Sequence, residues 1–172
     1  MPPPPPPVIP VPNVQTAQKN AAELIELTNA TLARVAALPD DQQHQRVDDE
    51  WSAVQSIRHL VLVLDLWLSK TVQGEDDPFH PIALPPTFMP AKLPGTSIDP
   101  DADPTFDQAC DVLRQRLGRL ELYVSGLTPD ELDRGIEAHA KTVGGALNVI
   151  FVEVGAHNRF INRDLDIIEG RS

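Results

Sequence analysis

The sequence predicts an all-α fold, an antiparallel-type four-helix bundle with one long crossover between its second and third helices. Three observations predict it. Apolar residues recur at helical spacing in four separate stretches. Strand signals are weak, with at most a short pair near 135–142. A Pro-, Asp- and Gly-rich interval of some thirty residues divides the four stretches two and two, and one long connection is a known variant of the bundle.

The chain opens "MPPPPPPVIPVPNV". Proline has no amide hydrogen to give and a fixed φ, so residues 1–13 read as a proline-rich arm in extended polyproline form. Such an arm is expected to be dispensable for folding; its alternative use is as a ligand for a proline-binding partner. Residues 14–172 then form one domain. With 172 residues and 41% hydrophobic side chains the chain fills one core and not two.

The first helix is expected over about Val14 to Leu38, with Ala21, Leu24, Leu27, Leu32 and Val35 as its stripe. The second begins near "VDDEW", where Asp48 and Asp49 would supply cap and dipole charge, and runs to about Lys70. Residues 71–104 form the crossover. A connection of that length is usually functional. The third helix covers about Pro104 to Ser125, with Asp103 as cap, Pro104 in the first turn, and Leu113, Leu117, Leu120 and Val124 inward. "TPDEL" (128–132) reads as a short capped turn. The fourth helix runs from about Val143 to Glu169 and stops at Gly170.

A net charge of −11 repels phosphate backbones and anionic bilayers, which excludes nucleic-acid and membrane-surface binding. No apolar run reaches the length of a membrane span. Cys110 is the only cysteine, so no internal disulfide forms. A reducing, cytoplasmic location is expected, and nothing at the N-terminus reads as a secretory signal.

Glu153 and His157 sit inside the apolar run "FVEVGAHNRF". They stand four apart, so a helix places both on one face with Cβ atoms about 6 Å apart. His59, in "SIRHLVLV", sits among core positions of the second helix. Two imidazoles and a carboxylate would make a three-ligand site for a divalent ion with positions left open. The competing reading is an ordinary i, i+4 pair and a satisfied core histidine. His80, in "PFHP", is a candidate base brought over the site by the crossover, or a plain loop histidine. Asp65 is expected to pair with an arginine, Trp51 and Trp67 to anchor a core or an interface, and Cys110 to be a small buried hydrophobe. His44 and His139 lie in polar surroundings.

"DEWSAVQSIRHLVLVLDLWL" (49–68), "DPFHPIALP" (77–85) and "VEVGAHNRFINRDLDII" (152–168), in that order, resemble the DinB-like family in its small actinobacterial-type members. The resemblance implies a four-helix bundle with a divalent metal in one end of its core, held by His59, Glu153 and His157. Many relatives carry histidine where this chain has Glu153. Two histidines and a glutamate are a zinc set, and they also suit nickel, iron or manganese. The superfamily includes enzymes that use low-molecular-weight thiols such as mycothiol or bacillithiol. That implies a metal-dependent thiol S-transferase or hydrolase acting on an unknown small molecule, with a thiol cosubstrate. The other reading is a non-catalytic bundle, a homodimer or interaction module. A homodimer is expected on either reading.

Overall fold

Asn13 starts the first helix, α1 (Val14–Ala36), its side-chain oxygen accepting from the Thr16 amide at 2.8 Å. The computed structural model describes residues 1–172 apart from Pro2, Pro5, Pro6 and Ser172. The polyproline expectation for those three prolines lies outside the described residues. The rest of the helical order is α2 (Asp40–Gln43), α3 (Ala53–Leu64) continuing as a π-helix over Asp65–Val72, α4 (Phe106–Ser125), α5 (Pro129–Asp133) and α6 (Val143–Ile168). No strand forms among the described residues. The short pair expected near 135–142 is a single antiparallel bridge between Gly135 and Thr142.

Four long helices share one core. Helix α1 packs against α4 and α6, and α3 packs against the same two. Their inward positions are those of the predicted stripes: Leu32, Val35, Leu113, Leu117, Leu120 and Leu147 are all buried. Leu27 is a correction, since it stays 44% exposed. Thr28 takes the inward place beside it, donating to the Leu24 carbonyl at 2.7 Å and accepting from Asn158 Nδ2 at 2.9 Å. Asn162 repeats the contact one turn on, donating to Thr31 Oγ1, and Arg34 reaches Asp166 at 2.5 Å. These bonds set the rotation of α6 against α1. One residue turns a helix by about 100°, so with Asn158 on α1, His157 faces α3.

The predicted caps moved at two helix starts. Ser52, not Asp48 or Asp49, caps α3, in a reciprocal capping box with Gln55. Asp48 and Asp49 instead take left-handed conformations with φ of 51° and 62°. Thr105, not Asp103, caps α4 with the same device. In both cases a hydroxyl three residues ahead of a glutamine wins, because each partner satisfies the other's free amide.

The arm is joined to the bundle at its end. Val11 is buried, and its amide donates to the Gly144 carbonyl at 3.1 Å. At that residue the arm packs along its own domain. Next to it, Gly145 is required by contact: a Cβ there would lie 2.1 Å from the Ala140 carbonyl oxygen. The helix start thus fits tightly under the 135–142 turn, with Thr142 capping it.

Candidate metal centre

The box at Ser52 fixes where α3 begins, and two turns later His59 points inward, 7% exposed. The crossover then fixes its ring. Leu84 donates its amide to the Arg58 carbonyl at 3.2 Å, and Arg58 Nε donates to the Ile82 carbonyl at 2.8 Å. That stitch carries the Leu84 carbonyl to 2.9 Å from His59 Nδ1. A carbonyl only accepts, so Nδ1 holds the proton and Nε2 keeps its lone pair.

Across the core, α6 brings His157 to His59, ring centroids 4.8 Å apart. Glu153 lies one turn back, its Oε2 3.8 Å from His157 Nε2. One ligand atom from each of His59, Glu153 and His157 lies within 4.8 Å of the others. Ligands of a single ion at 2.0–2.2 Å are separated by at most about 4.4 Å, so small side-chain rotations would close the set. The Glu153 side chain is 43% exposed. It stands at the edge of the site, where water already solvates it.

Burial lowers the pKa of both imidazoles. His59 falls below its ordinary value, helped back partly by the Leu84 bond and by Glu153. His157 is pushed down to about 4, by burial first and by His59 second. Both are neutral at pH 7, the form that binds metal. His157 Nδ1 is buried with no hydrogen-bond partner, and a polar atom so placed costs about 1–3 kcal/mol unless something satisfies it. A satisfied core histidine would not leave that nitrogen without a partner.

A cleft of ≈ 440 Å³ opens beside His157. Its walls include Trp51, Phe88 and Phe160. Trp51 also lies against both imidazoles, 4.8 Å from His59 and 6.0 Å from His157 between ring centroids. Sequence reasoning placed Trp51 in a core or interface. The signal available was its position one residue ahead of the α3 cap, which turns the ring back along the helix. Phe88, Phe160 and the Leu84 carbonyl were missed outright.

The structure does not bring His80 to this group. Its ring nitrogen Nδ1 accepts from the Ile82 amide at 3.2 Å, and the residue lines a separate cavity with Asp103 and Gln108. The crossover supplies a carbonyl to the site instead of a base. Asp65 pairs with Arg116 at 2.5 Å, as an arginine partner was expected to. Cys110 is buried and its thiol is pushed up to about 12, which leaves it unreactive. Trp67 meets His139 edge-on at 5.1 Å, away from the three convergent donors.

The family model of the DinB superfamily matches residues 23–161, which include all three candidate ligands. No curated protein and no solved structure matches the chain.

Proposed function

The chain belongs to the DinB superfamily, and from that premise we propose that it binds one divalent ion, zinc first among the candidates, through His59, Glu153 and His157, and uses it in metal-dependent chemistry of thiol S-transferase type. The observation that carries the proposal is the convergence of two neutral imidazoles and a carboxylate, one ligand atom of each within 4.8 Å of the others. The helix packing order α1, α4, α3, α6 supports an antiparallel-type four-helix bundle as the frame.

A bound ion would supply Lewis-acid activation of a thiol or water, holding it as the anion at neutral pH. The rest falls to the chain. The Leu84 carbonyl orients His59, the exposed side of Glu153 leaves an approach from solvent, and the aromatic walls keep the cleft apolar where a small substrate would lie. On this reading His80 holds the crossover through the Ile82 amide and takes no proton at the site. We infer a cytoplasmic protein, in keeping with the unpaired Cys110; no helix is long and apolar enough to cross a membrane among the described residues.

The non-catalytic reading has one observation in its favour: Val152, Phe160 and Ile167 leave apolar surface exposed along α6, as a homodimer interface would. Elemental analysis of untagged protein separates the two. About one equivalent of metal, lost in His59→Ala and His157→Ala, supports the metal reading, and a panel of low-molecular-weight thiols with electrophiles then tests turnover. Metal-free protein that takes up no zinc on addition, and sediments as a dimer, supports the other.

A further inference from the structure

Arg46 stands on the rim of the cleft that His157 lines. Its Nε donates to the Glu50 carbonyl at 2.8 Å, and its Nη2 donates to the Asp49 carbonyl. Among the described residues it makes no ion pair. Two carbonyls therefore hold one edge of the guanidinium, while Nη1 has no partner among the described residues.

The turn that holds it is itself strained. Asp48 and Asp49 both have positive φ, 51° and 62°. Two successive non-glycine residues in the left-handed region cost free energy, and such strain gathers at binding sites. Here it aims the Asp49 and Glu50 carbonyls at one side chain. An arginine fixed in advance loses little freedom when it meets an anion, and its planar fork suits carboxylate, sulfonate or phosphate.

Two of the carboxylates nearby face another cation. Arg163 binds both Glu50, at 2.5 Å, and Asp164, at 2.7 Å, so its one positive charge is shared between two of the three acidic groups on the cleft. Asp49 is left, and it is exposed to solvent. The remaining wall is aromatic. Phe88 is 87% exposed and Phe160 46% exposed, so two large rings face an open cavity beside Trp51. A volume of ≈ 440 Å³ falls in the range of small-molecule sites.

We propose that the cleft takes a small ligand with a planar apolar body and an anionic group, the body against Trp51, Phe88 and Phe160 and the anion on Arg46. This names the substrate class of the proposed metal site and rests on that cleft being its substrate side. Arg46 is then a specificity residue: it selects and orients the substrate without touching the ion.

The test uses two probes on the full chain, 2-naphthalenesulfonate and its neutral counterpart 2-(methylsulfonyl)naphthalene. Both are poor zinc ligands, so affinity reads the cleft and not the ion. Ligand-observed NMR should give the sulfonate about tenfold tighter binding than the sulfone, with and without zinc. In Arg46→Gln that preference should vanish while sulfone binding stays. Trp51→Leu should weaken both probes alike. Equal affinities in the wild type, no binding of either probe at millimolar concentration, or a preference that survives Arg46→Gln would overturn the proposal. The wild-type comparison decides even if a variant fails to fold. A chain that prefers the sulfonate but binds no zinc keeps the anion anchor and loses the metal; one that binds zinc without the preference does the reverse.

Discussion

Two polar clusters sit in this core, and their bonding differs. Asp65, wholly buried, gives one oxygen to Arg116 at 2.5 Å and the other to the His80 amide at 2.9 Å. Every polar atom of its side chain has a partner. His157, almost as deep, has a buried nitrogen with none. Folding tolerates few such gaps. The first cluster is a clamp joining the start of the π-helix, the crossover and α4. The second is a gap, which the proposed ion would complete. A complete network thus reads as structure, and an incomplete one of ligating atoms reads as a site.

The largest break of this comparison is expected at the clamp. Asp65→Ala leaves the Arg116 guanidinium and the His80 amide unpaired in a poorly hydrated place, and should lower stability by about 3–5 kcal/mol. Denaturant melts should show that loss equally with and without zinc. Burial holds the Asp65 carboxyl above its ordinary pKa, with the His80 amide and Arg116 opposing the rise. The charged state is therefore sustained by its partners, and a variant lacking either should protonate it more readily.

Acid should act on the gap. His157 is pushed down to about 4 in the fold and takes a proton near 6.5 when unfolded. Between those values the unfolded chain binds more protons, so stability falls as pH drops from 6.5 towards 4 and is flat above that window. The loss in metal-free protein should approach about 3 kcal/mol. The same melts on His157→Leu should show a flatter profile; an unchanged slope would assign the effect elsewhere.

Zinc sharpens the contrast. At a hundred times its dissociation constant it should stabilise the wild type by about 2.7 kcal/mol, Asp65→Ala by a similar amount, and His157→Ala by almost nothing. The increment should shrink on acidification as protons compete for the imidazoles. Glu153→Gln should weaken it and Glu153→His restore it, since both keep a side chain at the same turn and only the second keeps a ligand. The smallest effect is expected at Val11→Ala, about 1.5 kcal/mol from two buried carbons. It shares no partner with either cluster, so neither pH nor zinc should alter it.

The long helices were legible because period 3.6 is written in Leu113, Leu117, Leu120 and Val124 and their counterparts. The continuation of α3 as a π-helix was not. Its bonds, such as the Gln73 amide to the Leu68 carbonyl at 2.9 Å, depend on tertiary packing that no periodicity encodes. At the site, Glu153 and His157 could be paired by counting, since a turn of helix is local. That His59 joins them depended on the rotation set by Asn158, Asn162 and Asp166 against α1, four-residue steps whose partners lie over a hundred residues away. The family resemblance supplied that link where spacing left it open. The part played by the crossover was not legible because a backbone carbonyl, that of Leu84, has no sequence signature. His80 drew attention as a side chain, while the chain used the peptide group four residues on.

The central claim is that His59, Glu153 and His157 hold one ion. Zinc-edge X-ray absorption on protein loaded with one equivalent tests it most directly. The account predicts a shell of nitrogen and oxygen at about 2.0–2.2 Å with the outer-shell scattering of two imidazoles and no sulfur, falling to one imidazole in His157→Ala. A sulfur neighbour at about 2.3 Å, or an imidazole count unchanged by His157→Ala, would contradict it.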